Sequence, residues 1–291
     1  MAHFSIFDGF FFHLRLNEIE LLSHFDHNHL LKILIGCTGW SYEGWSGTFY
    51  PKSLKSSGWL RYYSKIFDFT EINSTYYQIP NQFLTKKWFS DTPEDFRFTA
   101  KFPGKITHEH KLKNVKSLVL EFLSALIPLK SQIFALVFQL PPSLTFDEAR
   151  PHLDELFSYL PEYYKFPIEG RHDSWFTDEA IDYLTEKNLC LVWNDIPGIS
   201  NPTLLTSDFV YVRLIGDRSI SEFGKVVRDR SEAIKRWADK IKKIEDKVTS
   251  IVVATNNHYQ GFAPATANSL RLELGMSDLV WDEKKQKKLE F

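Results

Sequence analysis

Eight short runs rich in β-branched and aromatic residues alternate with amphipathic segments along most of this chain, and this alternation constrains the fold more than any other feature. Near-continuous apolar runs of this length are typical of strands that are covered on both faces, as in a parallel sheet. The runs are Lys32–Thr38, Phe67–Ser74, Phe96–Phe102, Ile133–Leu140, Phe166–His172, Leu189–Asp195, Phe209–Gly216 and Ser250–Asn257.

The segments between the runs have helical patterns, such as Thr177–Lys187, where a threonine cap precedes acidic residues. Strands that alternate with helices imply parallel pairing through right-handed crossovers, and eight such units match a closed barrel. A doubly wound open sheet is the alternative, but no glycine-rich phosphate loop follows the first run. The sequence therefore predicts an α/β fold, a TIM-type (β/α)8 barrel.

The length of 291 residues accommodates one large barrel domain. We place the barrel at residues 32–276, after an atypical N-terminal extension at 1–31 and before a C-terminal tail at 277–291. The extension holds half of the ten histidines. Their spacing repeats no ligand pattern, which favours an appendage packed on the barrel over a metal-binding or membrane-touching arm.

Charge and cysteine usage exclude several classes of protein. The formal net charge of −2 gives no global basic field that would draw the chain to nucleic acid or membranes. Cys37 and Cys190 lie in apolar runs, which indicates buried free thiols rather than a disulfide framework. No apolar run is long enough to span a bilayer, and the N-terminus lacks a secretory pattern, so we expect a cytoplasmic location without a membrane partner.

Polar residues concentrate at the carboxyl ends of the predicted strands, the positions that face the catalytic mouth of a barrel. Because the strand period is two, Glu71 and Asn73 share a face, as do Glu169 and Arg171. An unpaired buried polar group costs about 1–3 kcal/mol, so these residues form a network, bind a ligand, or both. The set comprises Thr38, Trp40, Glu71, Asn73, Lys101, Gln139, Glu169, Arg171, His172, Asp195, Arg213, Asn256 and Asn257.

Three interpretations of this set stay open. In the first, Lys101, Arg171 and Arg213 only neutralise the acids Glu71, Glu169 and Asp195 in a structural network. In the second, the same three cations hold a phosphate, with Glu71 or Glu169 as general base and His172 as general acid. In the third, the acids with His172 and His258 bind a metal, although no dedicated metal spacing is present; we predict no metal ligands and name no cofactor.

Two loops offer further candidates. The segment Gly39–Pro51 holds Trp40, Tyr42, Trp45, Phe49 and Tyr50, which either stack a base or sugar ring or form a self-packed lid. After the third run, His108 and Glu109 are suited to proton transfer, while a helix cap at Thr107 is the alternative.

Seven motifs in order resemble the YecE-like family, number seventy-two among domains of unknown function. They are GCTGWSYEGWSGTFYP, FTEINSTYYQIP, FRFTAKFPGKITHEHKL, QLPPSLTF, EGRHDSW, YVRLIG and NNHYQGFAPATANSL. The resemblance covers Lys32 to Gly275 and implies a TIM-type barrel, without an established activity. It implies a site of Trp40, Tyr42, Glu71, Asn73, Tyr76, Lys101, Thr107, His108, Glu109, Gln139, Glu169, Arg171, His172, Trp175, Arg213, Asn256 and Asn257.

The chain departs from the family pattern at two positions. Gly170 stands where the motif usually has an aromatic residue, and Ile215 stands where histidine is expected. These departures put into question whether this chain keeps the chemistry of its relatives.

Our first functional hypothesis is a hydrolase or lyase acting on a small anionic or phosphate-bearing ligand, such as a nucleotide or nucleic-acid end. The alternatives are a nucleic-acid-binding module without catalysis and a carbohydrate-active barrel that uses Glu71 and Glu169 as an acid/base pair. The sequence leaves the oligomeric state open.

Overall fold

A computed structural model describes residues 32–199 and 202–281 of the chain. It contains eight parallel strands in one sheet, in the order β5-β4-β3-β2-β1-β8-β7-β6. The strands are β1 (Lys32–Thr38), β2 (Phe69–Ile72), β3 (Arg97–Lys101), β4 (Ile133–Gln139), β5 (Ile168–Glu169), β6 (Trp193–Asp195), β7 (Phe209–Leu214) and β8 (Ser250–Thr255). The predicted TIM-type barrel is confirmed.

The barrel closes between β5 and β6, the two strands at the ends of that order. Ile168 and Leu191 form a parallel bridge. The Ile168 amide donates to the carbonyl of Cys190 at 2.8 Å, and the Val192 amide donates to the carbonyl of Ile168 at 2.9 Å. The sheet therefore has no open edge here, which excludes the doubly wound alternative.

Helices cover the outside of the barrel. In the described residues they are α1 (Trp59–Tyr63), α2 (Gln82–Asp91), α3 (Lys116–Leu126), α4 (Phe146–Phe157), α5 (Asp178–Glu186), α6 (Ser231–Lys242), α7 (Asn257–Gln260) and α8 (Ala263–Glu273). The fifth run forms a strand only at Ile168–Glu169, shorter than predicted, because Pro167 has no N–H to donate to a neighbouring strand. Thr145 starts α4 with a capping box to Glu148.

An apolar layer fills the lower part of the barrel interior and supports a polar layer above it. The apolar cluster includes Phe69, Val137, Val192 and Tyr211, each of which precedes a polar residue by two positions on its own strand. Since side chains alternate along a strand, the polar partners of these four residues also point inward, one layer nearer the carboxyl ends. They are Glu71, Gln139, Asn194 and Arg213.

The aromatic loop after β1 is packed into the outer core. Trp45 is 0 % exposed, and Phe49 and Tyr50 are each 1 % exposed. The Trp45 indole donates to Oδ1 of Asn257 at 3.0 Å. The Tyr50 ring stacks on Trp59 with centroids 5.0 Å apart. These buried rings form a self-packed element and present no face on which a base or sugar could stack.

The first residues of the predicted tail pack on the barrel, with the Trp281 ring 5.5 Å from Phe49. The extension at 1–31 lies outside the described residues, so the three domain boundaries stay predictions. Cys37 and Cys190 are buried free thiols, as predicted. Within the described ranges, no helix is both long and apolar enough to cross a bilayer.

Candidate functional site

Arg213, on β7, is the centre of the polar layer. It is 2 % exposed. Its Nε and Nη2 donate to Oε2 and Oε1 of Glu71 at 3.0 and 2.7 Å, which is the bidentate geometry of a strong guanidinium–carboxylate pair. Its Nη1 donates to Oε2 of Glu169 and, at 3.2 Å, to Oε1 of Gln139. One guanidinium therefore joins β2, β4, β5 and β7 across the barrel.

Both carboxylates of the network are fully buried and accept hydrogen bonds at each oxygen. The Tyr211 hydroxyl donates to Oε2 of Glu71 at 2.8 Å and lies 2.6 Å from the Thr99 hydroxyl. Arg171 donates from Nε to Oε1 of Glu169 at 2.7 Å. We call Arg213, Glu71, Glu169 and Arg171 the ion-pair network. Both acids of the network are therefore paired with guanidinium groups of the protein itself.

Charges within the network shift the pKa values of Glu169 and Arg213. Burial by itself would raise the pKa of Glu169, but the charges of Arg213 and Arg171 outweigh this and lower it to about 2. Burial would lower the pKa of Arg213, whereas Glu169 and Glu71 raise it well above its ordinary value. Glu169 is therefore a carboxylate, not a general acid, at neutral pH.

Lys101 lies at the end of β3 and is only 8 % exposed, yet it is not part of the ion-pair network. Its ammonium lies 4.7 Å from the ring centroid of Tyr76. In the part of the chain that the structure describes, no carboxylate lies within ion-pair distance of this ammonium and it makes no hydrogen bond. Burial, followed by the charge of Arg213, lowers the pKa of Lys101 to about 8, against the opposing charges of Glu71 and Glu169. Within the described ranges, the largely buried Lys101 thus has no counter-ion at the mouth.

His108 and Tyr76 line the same side of the mouth. The His108 ring packs edge-on against Tyr76 at 5.1 Å, and its Nδ1 lies 2.9 Å from the Thr107 hydroxyl. Burial and then the positive charge of Arg171 and Lys101 lower the pKa of His108. The imidazole is therefore neutral at pH 7 and suited to proton transfer.

A cavity of about 390 Å³ opens beside these two rings. Its lining includes Tyr76, Tyr77, Ile79, His108 and Glu109. The ring of Tyr76 lines the cavity and also lies beneath the ammonium of Lys101, so the cavity and the ammonium are next to the same aromatic residue. The space accommodates a small ligand next to the mouth.

The inward and outward faces of β6 are exchanged relative to our prediction, which placed Asp195 at the mouth. Asp195 accepts hydrogen bonds at Oδ2 from the Trp237 indole and the Tyr259 hydroxyl, both at 2.8 Å, and so faces the helical layer. Its neighbour Asn194 points into the barrel beside Arg213, its partner in the strand register. Asn194 is 4 % exposed, and neither amide atom has a hydrogen-bond partner among the described residues. Sequence reasoning missed Asn194.

Several other candidates have structural partners instead of facing the network. His172 accepts the Ser174 amide at Nδ1 over 3.2 Å and so holds the turn after β5. Asn256 joins β8 to β1 through a 2.9 Å hydrogen bond to the Thr38 hydroxyl. Asn257 accepts hydrogen bonds from Trp45 and from the Ala263 amide.

Trp40 and Tyr42 are half-buried at the start of the aromatic loop. Trp40 packs against Trp88 of α2 with ring centroids 5.6 Å apart. The Tyr42 hydroxyl donates to the carbonyl of Thr38 at 2.6 Å. Asn73 lies at the end of β2, and its Oδ1 is buried without a hydrogen-bond partner in the described residues. Of these three residues, Asn73 is the one with a buried polar atom that makes no hydrogen bond within the described residues.

The family model for the protein of unknown function DUF72 matches residues 34–289. The chain belongs to the DUF72 family. The match spans most of the chain and covers every strand that forms the mouth. It confirms the resemblance seen in the ordered motifs.

Relatives with names agree with this membership. The UPF0759 protein YecE of Escherichia coli K12 is 33 % identical over 144 residues, which is 50 % of this chain and 50 % of that protein. The matched stretch therefore spans about half the length of that relative. The UPF0759 protein YunF of Bacillus subtilis is 25 % identical over 260 residues, covering 79 % of this chain and 90 % of that protein.

Two solved structures of DUF72 proteins have the same fold. The one from Thermotoga maritima is 28 % identical, with a TM-score of 0.74, and the match covers 84 % of this chain and 99 % of that one. The one from Enterococcus faecalis is 22 % identical, with a TM-score of 0.69, over 86 % of this chain and 100 % of that one.

The departure from the DUF72 motif at Gly170 concerns packing rather than the mouth. Gly170 lies between the inward-facing Glu169 and Arg171, so its missing side chain would face outward. A Cβ there would lie 2.3 Å from Cγ of Trp175, which is 0 % exposed and donates its indole N–H to the carbonyl of Leu144. The indole of Trp175 occupies the space that an aromatic residue at 170 would need.

Ile215 directly follows the end of β7 and is 5 % exposed. The resemblance leads us to expect a histidine at this position, and the chain has an aliphatic side chain instead. Among the titratable groups described at the mouth, His108 and Lys101 have lowered pKa values.

We expect Gly170→Ala to destabilise the protein by about 1–3 kcal/mol, because the new methyl group overlaps the Trp175 ring. Urea unfolding of the variant measures the loss. Gly58→Ala is the control, because its new methyl group would meet only the side chain of Leu54, no closer than 3.0 Å, and it should cost less stability. An equal loss in the two variants would contradict the packing explanation.

Proposed function

We propose that this DUF72 protein is a hydrolase or lyase that acts on a small phosphate-bearing ligand at the mouth of the barrel. The observation that carries the proposal is the ammonium of the largely buried Lys101, which reaches solvent at the mouth and has no anionic partner among the described residues. A buried charge is unfavourable unless it is paired, so an anionic ligand would complete this site.

The charges at the mouth support an anion. Lys101, Arg171 and Arg213 are cationic, while Glu71 and Glu169 are the anions of the network, so the mouth has an excess of positive charge when Lys101 is protonated. The side chain of Arg171 is 15 % exposed, and its Nη1 makes no hydrogen bond among the described residues. Lys101 and Arg171 together offer a point charge and part of a guanidinium fork to a phosphate.

Two amides extend the proposed site. Asn194 and the Oδ1 atom of Asn73 are buried without hydrogen-bond partners in the part of the chain that the structure describes. Such groups are uncommon in native proteins, because each costs about 1–3 kcal/mol. Ligand hydroxyl groups would satisfy both. His108 would transfer protons, while Glu71 and Glu169 hold the cations in position.

The alternative functions have less support. A glycosidase needs one carboxyl group that is protonated near neutral pH. Here the pKa of Glu169 is about 2, and Glu71 is bound to Arg213 by two hydrogen bonds. A nucleic-acid module would use the aromatic loop, but three of its five rings, Trp45, Phe49 and Tyr50, are buried, and only Trp40 and Tyr42 are partly exposed.

The binding step is tested by calorimetric titration with inorganic phosphate and with adenosine monophosphate. We expect Lys101→Met and Arg171→Met each to weaken binding about tenfold to a hundredfold, as loss of a charge-assisted hydrogen bond implies. Asn194→Leu should bind the nucleotide more weakly while remaining at least as stable as the wild type. Arg150→Met on α4, which removes an exposed pair with Glu179, is the control and should bind normally.

An absence of binding in the wild type would overturn the proposal, as would an equal loss in Arg150→Met. The enzymatic step is then tested on the wild type with phosphate esters, by following release of inorganic phosphate or of a cleaved carbon fragment. Turnover that survives in Lys101→Met would place the reaction elsewhere.

A further inference from the structure

The unpaired amine of Lys101 is suited to covalent chemistry as well as to charge. We propose that Lys101 forms an imine with the carbonyl carbon of a phosphorylated aldehyde or ketone, which makes the protein a lyase of the Schiff-base type. This inference rests on the proposed function, since the phosphate group is what the other cations of the mouth would hold.

The position of the amine carries the argument. A lysine that serves only structure inside a barrel is expected to pair with a carboxylate, and two carboxylates are present in the same polar layer. Both are bound to Arg213, and Glu169 is also bound to Arg171. Lys101 instead rests on the face of Tyr76. An amine without an ion pair can lose its proton without breaking one, which a nucleophile requires.

The charged surroundings act in the same direction. Burial acts first to lower the pKa of Lys101, and Arg213 on β7 and Arg171 beyond β5 add to it, while Glu71 on β2 and Glu169 on β5 oppose it. The result, a pKa of about 8, makes the neutral amine on the order of a hundredfold more abundant at pH 7 than in an ordinary lysine. His108 and Tyr76 also lie on this side of the mouth, and Lys105 and Glu109 line the cavity next to them.

The step balances without an oxidant or reductant. The Nζ lone pair attacks the carbonyl carbon and the carbonyl oxygen takes up a proton, giving a carbinolamine. The C–O bond then breaks, the oxygen leaves as water with a further proton from a mouth acid, and the protonated imine remains. The neighbouring C–C bond then breaks: its electron pair moves into the C=N group to give an enamine, while the hydroxyl on the departing carbon loses a proton and that fragment leaves as an aldehyde. A proton adds to the enamine carbon, and water hydrolyses the resulting imine to release the second product and restore the amine.

His108 is the group beside the amine that would move these protons. Its ring lies against Tyr76, over whose face the Lys101 ammonium sits. Being neutral at pH 7, it accepts a proton from the attacking amine and returns it to the departing oxygen. The cavity of about 390 Å³ beside Tyr76 leaves room for the carbon chain of the ligand.

Borohydride trapping of the full chain tests the imine, with glyceraldehyde 3-phosphate and unphosphorylated glyceraldehyde as the two probes. We expect one modified lysine, Lys101, carrying the mass of the probe less one oxygen atom in peptide mapping. The phosphorylated probe should react faster, and trapping should rise with pH through about pH 8 as the amine loses its proton. An ordinary lysine, with a pKa of about 10.4, reacts in a higher pH range.

Two conservative variants make the experiment decisive. Lys101→Arg keeps the positive charge and should keep phosphate binding, yet it should lose the adduct. Lys32→Arg is the matched control, because Lys32 also has a pKa lowered first by burial but begins β1 at the opposite end of the barrel. It should trap the probe as the wild type does.

The outcomes separate this inference from the proposed function. Phosphate binding without an adduct at Lys101 overturns the imine and leaves the phosphate site in place. An adduct spread over many lysines and unchanged in Lys101→Arg also overturns it. A wild-type protein that neither binds phosphate nor forms the adduct refutes both proposals.

Discussion

Replacing Arg213 with methionine is expected to lower the free energy of unfolding by about 3–5 kcal/mol, because breaking a buried ion pair from one side leaves uncompensated charge. Here the substitution leaves Glu71 with only the hydrogen bond from Tyr211 and Glu169 with Arg171 alone, and both carboxylates are 0 % exposed. Four hydrogen bonds from one guanidinium disappear together. Urea unfolding at pH 7 measures the loss.

The matched control is Arg150→Met, which removes an arginine–carboxylate pair whose side chains are 47 % and 66 % exposed. Surface pairs of this kind contribute about 0–1 kcal/mol, so the control should stay near the wild type. A loss in Arg213→Met no larger than the loss in Arg150→Met would contradict the role of the network.

A second substitution tests the same variant. Without the guanidinium, Glu71 keeps only the hydrogen bond from Tyr211, so its buried charge lacks a cationic partner. The double variant Arg213→Met with Glu71→Gln removes that charge and should recover part of the stability in the same urea measurement.

The barrel and most of its mouth could be predicted because strand alternation is a local property of the sequence. Glu71, Lys101, Gln139 and Arg213 each lie in the carboxyl-terminal half of a run that also contains inward-facing apolar residues, so their direction follows from the period of two. The alternation of side chains along each strand therefore predicts the polar layer from the sequence.

The face of the sixth strand could not be predicted in the same way. Its run ends in two consecutive polar residues, Asn194 and Asp195, and a shift of one position exchanges the inner and outer faces. The choice is made by Trp237 and Tyr259, which lie on α6 and α7 and bind Asp195 from outside the barrel. These partners are 42 and 64 residues away, beyond any local pattern.

Pairing within the mouth is also a long-range outcome. The equal numbers of acids and bases suggested that each cation neutralises one acid. The structure instead gives Arg213 to both Glu71 and Glu169, which lie 142 and 44 residues away in the chain. The composition of the mouth could not show that Lys101 has no carboxylate partner among the described residues. Both proposals depend on this feature.

The second large effect is expected in acid. The pKa of Glu169 falls from 4.5 to about 2 on folding, a difference that corresponds to roughly 3 kcal/mol. Because the folded value is the lower one, this contribution is complete above pH 4.5 and is lost as pH falls from about 4.5 to about 2. The free energy of unfolding of the wild type should decline over that window.

Glu169→Gln isolates the contribution, since glutamine keeps the shape but cannot titrate. The variant should be less stable than the wild type at pH 7, because Arg213 and Arg171 lose their common anion, and the difference should narrow steadily below pH 4.5. The control is Glu186→Gln at the end of α5, an exposed acid without an ion pair among the described residues. Its unfolding curve should run parallel to that of the wild type across the whole range. If the free energy of unfolding of Glu169→Gln also runs parallel to that of the wild type as the pH changes, Arg213 and Arg171 do not hold Glu169 in its charged form. In that case the ion-pair network is not what prevents Glu169 from pairing with Lys101.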